Sequence, residues 1–440
     1  MKILEKGNSK LLNAWAFYDW ANSVYSLVIS TAVFPIYYSY MTSSFDNLKE
    51  GKLKFLGTYW DPTTLYDYTL AFSFLVVAFI SPILSGIADY TGNKLKFLKG
   101  FCLIGSLSVM SLFFFEGQST LWVAIVFTIT ASIGFWGSIV FYNAYLPEIA
   151  HPEQQDAVSA KGFMYGYTGS IILLLFSLIM IEMPNLFGFD ENSTLPTRIT
   201  FVLVGLWWLG FAQITYKKLP NNVYNHKPDK DYIWKGFKEL KKVAAEVSQY
   251  KALKRFLVSF FFFSVGVQTI VLMAGIFGSK ELGLPTTNLI MTIMLVQIVA
   301  ILGAYLFSRL SRKRGNLSAL KLTLLIWCGV CFLAFVLDKD LENVDLYFYV
   351  LGGVLGLVLG ATQSLSRSTY SKLLPETEDH ATYFSFYDVT EKIAIVLGMF
   401  VFGLLISLTG SMQWSVLFLA VFFLVALIVL STIKATKYVK

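Results

Sequence analysis

The chain has 440 residues, 56% of them hydrophobic and only 14% charged. That apolar content exceeds what one soluble core of this length could bury, so lipid must cover the remainder and a water-soluble class is excluded. The net charge of +7 comes from basic residues scattered over loops rather than interleaved with base-stacking aromatics, which excludes a nucleic-acid surface.

In chain order, Met1 to Lys10 is polar and basic. The apolar stretch after it carries Asp19 and lacks a small-residue cleavage site, so it reads as a first spanning helix and not a signal peptide. Hydropathy predicts spans over Asn13–Tyr40, Tyr66–Ala88, Leu98–Phe115, Leu121–Leu146, Gly162–Met183 and Arg198–Tyr216. A second set is predicted over Phe256–Ser279, Pro285–Phe307, Leu317–Leu337, Leu346–Tyr370, Tyr383–Leu408 and Gln413–Ile433. The expected fold is an all-α integral membrane protein of twelve transmembrane helices in two pseudo-equivalent six-helix halves, 1–216 and 256–440, joined by a cytoplasmic linker, 217–255.

Eleven of the 35 Lys and Arg fall between Lys217 and Arg255. With the other inside loops also basic, the positive-inside rule places both termini in the cytoplasm. Within the linker, Trp234, Phe237, Leu240, Ala244 and Val247 recur at helical spacing against Lys235, Lys238, Lys241 and Lys242. This predicts a basic amphipathic helix on the inner leaflet, serving as a tether between halves or as a regulatory partner site.

Cys102, Cys328 and Cys331 fall inside predicted spans, where an odd count argues against disulfides and for packing. His151, His226 and His380 fall in predicted loops, and no nucleotide-binding G-x-x-x-x-G-K-[ST] occurs. No cofactor, no metal and no enzymatic activity are expected.

The two halves repeat short motifs. SGIADYTGNK after span 2 and SRLSRKRGNL after span 8 place Ser85, Asp89 and Gly92 on Ser308, Arg312 and Gly315. YNAYLPE and YSKLLPE at the ends of spans 4 and 10 place Tyr142 and Glu148 on Tyr370 and Glu376. The separations, 223 residues for the first pair and 228 for the second, nearly agree. Two halves of like topology are the parallel repeat of the facilitator fold, whose halves rock about a site between them.

The loop after span 2 resembles the G-x-x-x-D-x-x-G-[RK] signature of the major facilitator superfamily, with Ser85 in place of the first Gly and Asn93 in place of the basic residue. More specifically, AWAFYDWANSVYSLVISTAVFPIYY, FYNAYLPEIAHPEQ and LGATQSLSRSTYSKLLPETEDHATYFSFYDVTEK resemble the vacuole-effluxer-like branch of that superfamily, the autophagy-related vacuolar amino-acid exporters of fungi and their bacterial relatives. The resemblance implies a secondary transporter, a monomer by the superfamily's habit, that exports or exchanges a small polar solute: an amino acid, as in the fungal members, or another class such as a sugar or drug-like compound. A non-transporting receptor or scaffold is the remaining alternative. It assigns Asp89 a conformational role, capping or pairing with a neighbouring helix end. The short loops point to a bacterial inner membrane.

In a rocking carrier, polar groups within spans are the candidates for transport. Asp19, with Asn22 on roughly the same face, either binds a substrate ammonium or a proton or makes a packing contact near the inner gate. Arg367, one turn after Gln363, either holds a carboxylate bidentately or pairs with Asp19 or Glu148 across the halves. Gln268 and Gln297 are either interhelical links or substrate contacts. In span 11, Asp388 and Lys392 are spaced for an intrahelical ion pair. That leaves Glu391 as a proton carrier or a solvated residue near the cytoplasmic mouth. Glycines at Gly162, Gly166 and Gly169 and at Gly352, Gly356 and Gly360 predict close helix approach.

Overall fold

The computed structural model describes residues 5–45, 51–221 and 231–434. Among them, twelve helices are long and apolar enough to cross a membrane. Spans 1 to 6 are Ser9–Ser43, Pro62–Thr91, Lys94–Phe114, Gln118–Ile149, Pro152–Glu182 and Leu195–Tyr216. Spans 7 to 12 are Lys251–Glu281, Thr286–Arg314, Asn316–Val336, Val344–Leu373, His380–Thr409 and Met412–Ser431. Helices are the expected solution, because hydrocarbon offers no partner for a backbone amide and each span must satisfy its own.

Two details correct the sequence reading. Among the described residues one hairpin stands beside the helices, Leu53–Phe55 paired antiparallel with Thr58–Trp60 before span 2. Most spans also run past the apolar windows that predict them. Span 5 begins at Pro152 rather than Gly162, span 2 continues to Thr91, and span 11 opens at His380. These added turns are polar, and they carry most of the bonds between the halves described below. Span 2 stops where Gly92 takes φ +67°, a left-handed conformation that glycine adopts without penalty. The chain thereby turns directly into span 3.

Span 1 is not uniformly α-helical. Tyr25–Val33 forms a π-helical segment, a geometry common at functional positions. The halves meet where span 5 packs on spans 8 and 10, and span 11 on spans 2 and 4. Small residues set the spacing within each half. A Cβ on Gly356 or Gly360 would strike the backbone of Val296 or Ala300 in span 8, so spans 8 and 10 touch main chain to main chain.

The linker carries the helix Tyr232–Gln249. The face that packs on span 2 is not the apolar stripe. Gly236 and Val243 are buried, while Trp234, Phe237 and Ala244 are exposed. The cause is backbone contact, since Gly236 lies directly against Gly86 and Ile87 of span 2.

Candidate functional site

Between the halves lies one cavity of about 320 Å³, lined by Asp19, Asn22, Gln268, Gln297, Gln363, Arg367 and Glu391 among others. These are the seven residues that the sequence offers as substrate or coupling candidates, gathered from spans 1, 7, 8, 10 and 11. The lining extends from Asp19 and Arg367 through the π-helical turn of span 1 to Thr31, Leu289 and Phe348, toward the face opposite the linker helix.

At the end nearer the linker helix, Arg367 is 3% exposed and Asp19 is 6%. Both terminal nitrogens of the guanidinium donate to Asp19 Oδ2 at 3.1 Å. Further donations reach Asn143 Oδ1 (3.4 Å), Ser159 Oγ (2.9 Å) and Ser159 O (2.8 Å). Five bonds match the five N–H groups of the side chain. Trp15, Tyr142 and Phe163 surround the cation, with ring centres 4.8, 5.4 and 4.2 Å from its carbon. Tyr142 also donates its hydroxyl to Asp19 Oδ2 at 2.9 Å. Room for the pair comes from Gly162, where a Cβ would fall on Asp19 Oδ2 and within 2.9 Å of Arg367 Nη2.

Farther along, Gln268 donates to Glu391 Oε1 at 2.8 Å. Lys392 lies 2.8 Å from Asp388 and 3.4 Å from Glu391, and its ammonium sits 3.4 Å over the ring of Trp136 in span 4. The Asp388–Lys392 pair forms as the spacing predicts, and Lys392 reaches Glu391 as well. Glu391 is a half-buried residue of the cavity wall. Tyr167 donates to Gln363 Oε1 at 2.6 Å, another bridge between halves. The amide nitrogen of Asn22 and the hydroxyl of Ser170, both at the cavity, find no hydrogen-bond partner among the described residues.

On the linker side of the cavity, two polar clasps join the halves. In the first, Asp89 accepts from the backbone N–H of Ala381 (3.2 Å) and of Thr382 (2.7 Å) and from the Thr382 hydroxyl (2.8 Å). It thus caps the first turn of span 11, where the helix dipole favours a carboxylate. Lys94 lies 3.5 Å from Asp89 and also pairs with Glu148, which meets His380 Nδ1 at 3.0 Å. His380 is therefore a helix-terminal bridging residue rather than a loop residue, and Glu148 is taken by Lys94 and His380, not by Arg367. His226 lies outside the described residues. In the second clasp, Asp156 of span 5 pairs with Lys372 at 2.7 Å. It accepts from Ser311 (2.9 Å) and Asn316 (2.7 Å).

Outside the spans, Lys242 of the linker helix reaches Asp379 at 3.2 Å. Burial, and then the neighbouring Glu239, push the Asp379 carboxyl above its ordinary value.

The sequence matches the family model described as "Vacuole effluxer Atg22 like" over residues 7–439. The chain belongs to this family. Among its relatives, the MFS-type transporter YxiO of Bacillus subtilis (strain 168) is 31% identical over 424 residues, covering 96% of this chain and 94% of that protein. Autophagy-related protein 22 of Eremothecium gossypii is 24% identical, over 86% of this chain and 78% of its own length. Solved structures share the fold. FucP in the outward conformation superposes with a TM-score of 0.67 at 16% identity, covering 97% of this chain and 99% of that one. The proton:xylose symporter XylE bound to a bromo-deoxyglucose gives 0.68 at 13%, covering 98% and 96%. The chain is thus a major facilitator-type transporter of the Atg22-like branch, with twelve spans.

The conformational candidates of this Atg22-like chain divide unevenly. Asp89, Glu148, Asp388 and Lys392 make the buried contacts described. Ser85 is buried without a hydrogen-bond partner among the described residues. Gly92 and Gly315 both take positive φ at helix ends. Arg312, the repeat partner of Asp89, is exposed at the end of span 8. Asp156, Asn316 and Lys372 were not singled out from the sequence. Asp156 sits in PEQQDA, which reads as a polar loop, and its partners lie 155 to 216 residues away.

Proposed function

We propose that this transporter carries a small zwitterion, an amino acid, outward across a bacterial plasma membrane by alternating access. Both termini and the linker helix would lie in the cytoplasm, as the basic residues on that side favour, and residues 217–255 would tether two rocking halves in a monomer. The observation that carries the reading is the convergence of a buried Asp19–Arg367 pair, the Glu391 carboxylate and the unpartnered Asn22 amide on one cavity. Opposite charges there match the two ends of an amino acid, and the amides fix its orientation.

All five donors of Arg367 are engaged in this state, so a substrate carboxylate enters by exchange against Asp19. The released Asp19 is then free to meet an ammonium or a proton. Glu391, held by Gln268 and Lys392, is the candidate proton carrier, changing charge without losing its partners. The two clasps keep the cytoplasmic side shut while the site faces outward.

The test is flux in proteoliposomes, screened over amino acids and sugars at two pH values. Amino-acid flux that Arg367→Gln abolishes and whose pH dependence Glu391→Gln flattens is expected. Flux of a sugar but of no amino acid would replace the substrate class. That second reading is favoured by the four amide side chains, Asn22, Gln268, Gln297 and Gln363, which suit hydroxyl groups. An unchanged pH dependence in both Asp19→Asn and Glu391→Gln would remove both as proton carriers.

A further inference from the structure

A second hollow, of about 520 Å³, lies away from the transport cavity between spans 2 and 3. Its walls are apolar, with Leu84 and Ile87 on span 2 and Phe97, Phe101 and Ile104 on span 3. Ile104 is 47% exposed, so this wall faces the surrounding lipid. Gly100 lies in the groove as well, and a Cβ added there would meet no atom within 4 Å. The missing side chain is thus matched by empty space rather than by a packed neighbour.

The linker end of the groove is polar. Asn93, Lys96 and Tyr232 line it there, and Lys96 is exposed. Tyr232 belongs to the first turn of the linker helix, which the Gly236–Gly86 contact holds against span 2. The next residues, Ile233 and Trp234, are 53% and 71% exposed. An exposed Trp and Ile beside lysines on a helix lying against the spans marks the level of the membrane–water interface. The groove therefore begins at headgroup depth, with a cation and an aromatic hydroxyl, and continues into hydrocarbon between greasy walls.

We infer that this groove holds one anionic phospholipid, its phosphate at Lys96 and Tyr232 and an acyl chain along Gly100. The chemistry selects the occupant at both ends. A free anion has no use for the apolar channel, and a hydrocarbon or sterol has none for the lysine. A phospholipid of zwitterionic headgroup would fill the channel but gain less from Lys96.

Native mass spectrometry of the detergent-purified full chain, titrated separately with phosphatidylglycerol, phosphatidylcholine and inorganic phosphate, tests this. The wild type should retain one phosphatidylglycerol about fivefold more tightly than phosphatidylcholine, the preference expected of one lysine near an anionic headgroup. Lys96→Gln should erase that preference. Gly100→Leu should weaken both lipids by filling the channel, and phosphate should displace neither. Equal retention of the two lipids by the wild type, lipid retention untouched by Gly100→Leu, or displacement by phosphate would each overturn the assignment. Should Gly100→Leu fail to fold, the Lys96→Gln comparison decides by itself.

Discussion

The two clasps on the linker side occupy corresponding places in the two halves, yet their chemistry is reversed. In one, the carboxylate stands on the last turn of span 2, as Asp89, and the donors are the first turn of span 11. In the other, the carboxylate stands on the first turns of span 5, as Asp156, and the donors come from spans 8, 9 and 10, as Ser311, Asn316 and Lys372. The place of Asp89 in the repeat is taken by the exposed Arg312. What the duplication preserves is the site of contact between a helix end and a helix start, while the charge has crossed from one side of the contact to the other. The clasps also differ in kind. Asp89 is held chiefly by backbone N–H groups, which are there whatever the side chains, whereas Asp156 depends on side chains alone: Ser311, Asn316 and the ammonium of Lys372.

The largest expected effect follows from that dependence. Asp156→Ala strips the buried Lys372 ammonium of its counter-ion and leaves it only the Asn316 Oδ1 bond at 2.9 Å, a loss of about 3–5 kcal/mol from the closed arrangement. A reporter cysteine at Ser371, buried in this state, can be introduced after Cys102, Cys328 and Cys331 are replaced by alanine. Its labelling by an impermeant maleimide should then rise about tenfold or more. Asp156→Ala combined with Lys372→Met should fall back toward the parent rate, because no charge is stranded. A double variant as open as the single would mean that the pair does not hold the halves together.

Next comes Asp89→Asn, expected to cost about 1 kcal/mol, since an amide oxygen still caps the helix and only the charge is lost. The same labelling assay should place it clearly below Asp156→Ala. The reverse order would show that the backbone cap is the weaker clasp. Arg312→Ala should be smallest, within about 0.5 kcal/mol as for other exposed positions. A large rise in labelling there would restore the simple repeat, with Arg312 as the working equivalent of Asp89.

Why these clasps escaped the sequence while the cavity did not is a matter of where each sits. Apolar runs define the twelve spans, and a charge or amide within such a run, as with Asp19, Arg367 or Gln268, stands out because hydrocarbon makes it expensive. The clasps lie in the polar turns that hydropathy trims away. Asp156 sits ahead of the predicted start of span 5 and His380 ahead of that of span 11, so both read as solvated loop residues. Which loop meets which helix start is set by the packing of the halves, and nothing local to PEQQDA or SRKRGNL encodes it. Asp89 was legible only because its motif resembles that of a superfamily.

If Arg367 takes the cargo carboxylate as proposed, its full occupation bears on how tightly that cargo can be held. A guanidinium whose donors are already satisfied is available only in the fraction of molecules where Asp19 has let go, and apparent affinity falls by that fraction. If about one molecule in a hundred were so released, a ligand of micromolar intrinsic strength would be held only in the ~0.1 mM range. Poor retention of this sort suits a machine that must let its passenger off on the far side.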